Sequence, residues 1–471
     1  MPTQSRSALI LGAGISGLSA AWHLQELGWQ VTVLESSNRV GGVIASQCRD
    51  DGFLVEQGPS EMLLKSAAVE SVLHRIGLRE SIQEANRTAR KRFITRNGSP
   101  IPVPTTPGAL LRTRLWSGKA KLRVLREPWV GVADPSREES VAEFVRRRLG
   151  GELLDYAIDP LVSGIFAGDP SRLSMRHAFP KVWQLESNYG SLIRGAFGQW
   201  RERRRSGLRK FPHRLISFSG GMGQLPKTLA ARLTTPPHCG VKILDISREA
   251  NGWSIQWIGS QGKETQTFGA VVCAVPTHRL PSLPLPKSIK DQVEPLSTLP
   301  YAPVVTVTTG YRKDQLAHPL DGFGVLHPSR ESRSTLGTLF LSTLFPGRAP
   351  TGYHNLITFV GGVRTPDAVS WPVEEILLRV KKDHQELLGA HNPPCFQILQ
   401  RWPRAIPQYN QGHAKYLDIL EKTEERHPGW YFCGNYRDGP GIGDCLLGGQ
   451  SLAKRIQQPP ETETKAPPDS G

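Results

Sequence analysis

Three glycines and one carboxylate carry the first chemical signal in this chain. Gly12, Gly14 and Gly17 follow the apolar run Ala8-Leu9-Ile10-Leu11, and Glu35 closes a second run, Val31-Thr32-Val33-Leu34. This spacing suits a dinucleotide. Gly12 permits the tight turn out of a first strand, Gly14 lets the backbone approach a pyrophosphate, and Gly17 allows helix and strand to pack closely. Ala13, Ile15 and Ser16 fill the turn between them. A helix starting near Ile15 and carrying Leu18, Ala21 and Leu24 would offer unpaired N–H groups and a positive dipole end to the phosphates. Glu35 can accept hydrogen bonds from ribose hydroxyls and would repel a 2′-phosphate, which disfavours NADP and leaves FAD or NAD.

No paired carboxylates, Ser/His/Asp set or metal-ligand spacing requires a catalytic side chain, so neither a general base nor a metal is assigned. His413, in Gln408-Tyr409-Asn410-Gln411-Gly412-His413, is read as making a structural hydrogen bond. The six cysteines, at 48, 239, 273, 395, 433 and 445, form no CxxC pair and read as thiols in a reducing compartment. Cys433 and Cys445 read as small core residues.

These residues need elements to position them. With 471 residues the chain has room for two or three domains, and 38% hydrophobic residues can bury a core. Val141-Ala142-Glu143-Phe144-Val145-Arg146-Arg147-Arg148-Leu149 has helical periodicity, with Gly150-Gly151 as a stop. Val241-Lys242-Ile243-Leu244 reads as a strand, Gly252-Trp253-Ser254-Ile255-Gln256-Trp257 as an exposed hairpin, and Ala270-Val271-Val272-Cys273 as a buried strand. Residues 304–308, 322–326 and 356–360 suggest an antiparallel sheet spanning 296–404. Residues 457–471 read as a disordered tail.

The net charge of +16 is uneven. From Arg87 to Arg126 eleven basic residues occur without an acid, and Arg201, Arg203, Arg204, Arg205, Arg209 and Lys210 form a second cluster. No nucleic-acid fold signature accompanies them, so nucleic acid is not expected as a partner. Leu110, Leu111, Leu115, Trp116, Leu122, Leu125 and Trp129 are interleaved with the basic residues, a mixture suited to an anionic membrane surface. No run is long and apolar enough to span a bilayer and residues 1–7 carry no secretory signal, so the expected location is cytoplasmic and peripherally membrane-associated. The sequence leaves room for a homodimer.

Ser36-Ser37-Asn38-Arg39-Val40-Gly41-Gly42 resembles the extended FAD fingerprint of the amine-oxidase-like flavoproteins. Gly58-Pro59-Ser60 resembles that family's turn beside the isoalloxazine, and Gly434 with Gly441-Ile442-Gly443-Asp444 its closing strand–turn–helix. In the family the residue matching Val241 meets the adenine, and Trp402 matches a position near the flavin. The resemblance implies an α/β fold: a discontinuous Rossmann-like FAD-binding domain (1–90, 211–295 and 405–456), a β-rich substrate domain (296–404) and a helical, basic, membrane-associating insert (95–205). Ser36, Arg39, Gly41, Gly42, Gly58, Pro59, Ser60, Val241, Trp402, Gly434, Gly441, Ile442 and Asp444 then join Gly12 to Gly17 and Glu35 as cofactor residues. No cysteine resembles the covalent tether of monoamine oxidases, which implies non-covalent FAD.

Within that family, Lys91 to Gly98, Gly164 to Met175, Gly322 to Pro328 with Leu336 to Phe340, and Gly434 to Cys445 resemble the protoporphyrinogen-oxidising branch. That resemblance implies oxidation of a tetrapyrrole bearing propionates, by hydride transfer to the flavin in three two-electron stages, with oxygen as acceptor and hydrogen peroxide released. Arg92 matches the arginine that pairs with a propionate, Leu326, Leu339 and Phe359 the residues that sandwich the macrocycle, and Gly168 a loop close to it. Some relatives carry asparagine where Ser60 stands. A coproporphyrinogen oxidase, an amine oxidase, a carotenoid desaturase and a flavin-binding scaffold without turnover are the alternatives.

Overall fold

The computed structural model describes residues 6–134, 136–206 and 211–458. Arg209, Lys210 and the tail beyond residue 458 lie outside the described residues. A five-stranded sheet joins distant parts of the chain, in the order His238–Cys239, Gln30–Glu35, Ser7–Leu11, Ala270–Cys273, Trp430–Phe432, every neighbouring pair parallel. Parallel strands are covered on both faces, which is why these segments read as continuous apolar runs. On one face Ala8, Ile10, Val33 and Val272 pack with Leu18 and Leu24 of the helix Ile15–Glu26 and with Leu446 and Leu452 of the helix Ile442–Gln457.

On the other face Leu9, Leu11 and Val271 meet a three-stranded antiparallel sheet of Lys242–Glu249, Gly252–Gly259 and Gly262–Phe268. The hairpin expected to be exposed is therefore covered. Trp253 and Trp257 are 1% and 2% exposed, because the alternating face they share lies against the parallel sheet.

A seven-stranded sheet has the order Phe396–Pro407, Tyr301–Arg312, Tyr353–Gly361, Thr335–Leu339, Gly322–Leu326, Lys91–Arg96, Ser99–Pro102. Its neighbours are antiparallel except for the pair Gly322–Leu326 and Lys91–Arg96, which is parallel. Val305, Val307 and Val360 press one face onto Ile376 and Val380 of the helix Val373–Leu388. The two strands nearest the 95–205 segment differ from the helical expectation, since Ser99–Pro102 belongs to this sheet. Pro100 and Pro102 hide the strand from a pattern search, yet it is an edge strand, where a missing N–H is tolerated.

Beyond it come the helices Pro107–Arg112, Gly118–Leu125, Val141–Arg148, Asp159–Phe166, Pro180–Tyr189 and Leu192–Arg205. Val141–Arg148 opens with a reciprocal capping box between Ser140 and Glu143 and buries Val141, Phe144 and Val145 against Val162 and Phe166. Arg148 ends it fully buried, 3.0 Å from Glu127 and with its Nε donating to Glu186 at 2.8 Å. Among the described residues no helix is long and apolar enough to cross a membrane.

Candidate active site

Two helix N-termini built from opposite ends of the sequence define the first half of the site. Gly12, at φ +104°, turns the chain out of Ser7–Leu11, in a left-handed conformation that glycine adopts without strain. At Gly17 a Cβ would stand 2.1 Å from the Gly12 carbonyl oxygen, so helix and turn are in the closest contact. Gly14 differs, for a Cβ there would meet no protein atom within 4 Å. Gly14 is the N-cap of Ile15–Glu26, and no side chain caps that end. Open space, unpaired N–H groups and a dipole end are what a pyrophosphate requires.

The second helix, Ile442–Gln457, starts after Gly441 and also lacks a side-chain cap. Ser19 Oγ donates to the Leu446 carbonyl at 2.7 Å, and a Cβ on Gly449 would lie 2.6 Å from the Ala20 nitrogen. Ser19 and Leu446 each lie one turn past the first residue of their helix, so the helices cross about 6 Å from both N-termini. Asp444 in that first turn faces Lys65 at 3.7 Å, and Gly434 N–H donates to Asp438 at 3.0 Å.

Around this crossing the sequence-read residues assemble. Glu35 Oε2 accepts the Ala13 N–H at 2.8 Å, while Oε1 accepts the N–H and the hydroxyl of Ser37, each at 2.8 Å. Ser36 Oγ lies 3.4 Å from the same Oε1. A carboxylate oxygen accepts two donors, so Oε2 has room for a ribose hydroxyl. Gly41 N–H donates to the Ala13 carbonyl at 2.8 Å, and a Cβ on Gly42 would come 3.5 Å from Gly14 Cα, which lays the paired glycines over the turn. Arg39 Nη1 donates to the Val40 carbonyl at 3.3 Å, and Val241 N–H donates to the Glu35 carbonyl at 3.1 Å. Gly58 is pressed on Val43, whose carbonyl oxygen a Cβ would approach to 2.0 Å. Beyond Pro59, the buried Ser60 accepts the Ser217 hydroxyl on its carbonyl at 3.1 Å. The open cradle at Gly14 and the two helix ends without side-chain caps fit FAD.

The other half is one face of the seven-stranded sheet. Leu326 pairs with Gly337, Gly337 with Phe359 and Leu339 with Ile357, so alternation puts Leu326, Leu339 and Phe359 on a common face. Val304, in register with Trp402 and Gly361, brings Trp402 to that face, and its Nε1 donates to the Gln57 carbonyl at 2.8 Å. This bond ties the sheet to the turn that holds Gly58. Ile94 pairs with Leu326, and Arg92, two residues earlier, points the same way. Leu326 and Phe359 are half-buried, whereas Leu339 is 7% exposed. Helix Asp159–Phe166 lies against Leu326, since a Cβ on Gly164 would come 3.3 Å from its Cδ2. Gly168 follows the left-handed Ala167, which packs with Val304, Leu336 and Phe359.

Arg92 is exposed, and among the described residues no carboxylate pairs with it. Its guanidinium lies 5.3 Å over the Phe323 ring. Phe323 was not singled out from sequence; the register shift between Gly322 and Val325 turns it toward Leu341, Ile357 and Phe359. Gln57 and Gln408 were also missed, because their roles depend on contacts far along the chain. Gln408 Nε2 donates to the Phe166 carbonyl at 2.8 Å, and its Oε1 would stand 2.7 Å from a Cβ on Gly168. Glu56 is buried and accepts the Met222 N–H at 2.9 Å and the Ser46 hydroxyl; burial pushes its pKa up to about 7. His413 stacks on Tyr409 at 4.3 Å and its Nε2 donates to the Tyr436 carbonyl at 3.1 Å, a structural role. Cys433 and Cys445 are buried thiols, and burial pushes Cys445 up to about 12.

Comparison with known proteins gives the family and the fold. The family of flavin containing amine oxidoreductases matches residues 15–457. Protoporphyrinogen oxidase 2, chloroplastic/mitochondrial, of Arabidopsis thaliana is 35% identical over 95% of this chain and 93% of its own. Coproporphyrinogen III oxidase of Bacillus subtilis (strain 168) is 25% identical over 96% of this chain and 98% of its own. The crystal structure of reduced UDP-galactopyranose mutase shares the fold at a TM-score of 0.71 and 16% identity, covering 96% of this chain and 95% of that one. With a cradle, two helix ends and a nearly full-length match in agreement, this chain belongs to the flavin-containing amine oxidoreductases and is an FAD-dependent oxidoreductase.

Proposed function

We propose that this protein oxidises protoporphyrinogen IX to protoporphyrin IX in porphyrin biosynthesis, with oxygen as the final acceptor and hydrogen peroxide as its product. The observation that carries the reading is the sheet face on which an unpaired cation, Arg92, adjoins Phe323, Leu326 and Phe359. A flat apolar macrocycle with carboxylates on one edge matches such a face in shape and charge. FAD bound at the crossed helices supplies the capacity to accept a hydride. The residues of the chain do the rest. Arg92 offers a planar fork to a propionate, and that charge is compensated only when substrate is present. Leu326, Leu339 and Phe359 gain apolar and stacking contact with the ring. Gly168 keeps side-chain bulk away from it, and Trp402 holds the sheet against the cofactor turn. In this reading residues 1–90, 211–295 and 405–456 hold the cofactor, and 296–404 hold most of the substrate.

The same proposal gives the helical region a place on the membrane. Leu111 is 74%, Leu125 66%, Trp129 78% and Phe197 64% exposed, beside Lys119, Arg126, Arg201 and Arg204. Exposed aromatic and aliphatic residues among cations fit an anionic lipid surface, on which the protein would rest peripherally.

Anaerobic mixing of the FAD-loaded protein with protoporphyrinogen IX or coproporphyrinogen III tests the function. Rapid flavin bleaching by the first, followed by porphyrin fluorescence and peroxide on admitting air, is the expected result. Faster bleaching by the second would reassign the substrate, and none with either would reject porphyrinogen oxidation.

A further inference from the structure

Glu61 lies between the two halves of the site. Four residues before it, the Gln57 carbonyl is held by Trp402 of the substrate face, and one residue before it, Ser60 is anchored by Ser217. One residue after it begins the strand Met62–Leu64, whose Met62 and Leu63 lie 3.8 Å from a Cβ built on Gly443, in the first turn of the helix Ile442–Gln457. Glu61 is thus carried to the junction of the sheet face and the cofactor helix. Its side chain is half-buried. Its carboxyl accepts the Ser60 hydroxyl, and among the described residues no cation pairs with it.

The other acids nearby are committed. Glu56 is sealed at 1% exposure beneath Ser46 and Met222, and Asp444 faces Lys65. We propose that Glu61 is the acceptor of the proton that the macrocycle releases at each stage of porphyrinogen oxidation. This rests on the function proposed above. At each stage a methylene C–H bond breaks with both electrons, passing as hydride to the oxidised flavin, and leaves a cationic macrocycle. In the first two stages a pyrrole N–H bond then breaks with its electron pair left on nitrogen, in the third a C–H bond of the last methylene bridge breaks with its pair left in the ring, and each proton forms an O–H bond with the Glu61 carboxylate. Glu61 subsequently releases that proton to water. The macrocycle loses two electrons and two hydrogens per stage, and the flavin is the oxidant. An unpaired carboxylate both attracts the cation and takes its proton, which a residue salt-bridged to lysine or arginine would do poorly.

Burial holds the Glu61 carboxyl above its ordinary value, with the Ser60 hydroxyl opposing, and the Glu61 charge in turn helps to raise Glu56. The charged groups on the adjoining elements are Lys65 and Asp444 at the helix end and Arg348 beside Glu56. Flavin reduction therefore rises with pH as Glu61 ionises, above the range of an ordinary glutamate.

The test compares wild type, Glu61→Gln and Glu61→Asp, each loaded with FAD, in anaerobic single turnovers against pH. Glu61→Gln is expected to slow bleaching by about a hundredfold and to lose the acid limb, with FAD content unchanged. Glu61→Asp is expected to recover part of the rate and to keep a limb at shifted pH. Independently of turnover, infrared pH titration of the FAD-loaded proteins should show a carboxyl C=O band in wild type that Glu61→Gln lacks. Wild-type rates in Glu61→Gln with the limb intact would overturn the proposal. If Glu61→Gln loses FAD, an unmoved limb in flavin-loaded Glu61→Asp overturns it instead. Wild type that neither porphyrinogen bleaches would remove the proposed function and this role with it, even where the infrared band is present.

Discussion

At Gly14 a methyl group would meet no protein atom within 4 Å, while at Gly17 it would meet the Gly12 carbonyl oxygen at 2.1 Å. Gly14→Ala should therefore leave the unfolding temperature of the apoprotein unchanged but weaken FAD binding about tenfold or more, about 1.4 kcal/mol. Calorimetry of the apoprotein together with a flavin titration checks this, and unaltered FAD affinity would remove Gly14 from the cofactor contact. Arg92 allows a parallel test on the substrate side. Arg92→Ala should reduce kcat/KM for the porphyrinogen by the worth of one charge-assisted pair, about 1.5–3 kcal/mol, while FAD stays bound. Steady-state kinetics with matched flavin content decide it, and an unchanged kcat/KM would show that no propionate rests there. Both glycines and Arg92 were visible in the sequence. Phe323 beneath Arg92 was not, because a strand irregularity sets its direction.

Among the elements, the helix Val141–Arg148 shows how far periodicity reaches. Its length and its glycine stop follow from Val141, Phe144 and Val145 on one face and from Gly150 at φ +95°. Nothing in the periodicity separates the consecutive arginines at its end, yet Arg148 is fully buried between Glu127 and Glu186. Glu127 in turn accepts the N–H groups of Leu192 and Ile193 at 2.9 Å and 3.1 Å, which seats the helix Leu192–Arg205. Removing one partner of such a group strands charge in the interior, so Arg148→Ala should lower stability by about 3–5 kcal/mol. Arg137→Ala, whose side chain is 71% exposed, should change it by less than about 1 kcal/mol. Denaturant unfolding of the two variants separates a buried ion network from a surface pair.

On the scale of the whole molecule, most of the exposed large apolar residues lie in the same helical region as the basic surplus. Vesicles containing anionic lipid should co-sediment the protein, and binding should weaken as salt rises, since the electrostatic part is screened over about 8–10 Å near physiological ionic strength. Recovery that is equal on neutral vesicles and indifferent to salt would leave the apolar residues without an electrostatic partner. Replacing Trp129 and Phe197 by serine should lower the remaining, salt-resistant binding.

The sequence by itself determined the dinucleotide turn, the strand–helix–strand that carries it, the strand, glycine turn and helix near the other end of the chain, and the β-rich segment that follows residue 296. Each of these rests on local rules: glycines where backbones approach, apolar runs where both faces are covered, alternation where one is. Tertiary structure alone decided that Ser99–Pro102 joins the sheet, that Trp253 and Trp257 are covered, that Arg148 is buried, and that the strand after Glu61 lies against the first turn of the helix Ile442–Gln457. Those outcomes depend on which distant surface covers a residue, and burial by a partner hundreds of positions away leaves no periodic trace in the segment it covers.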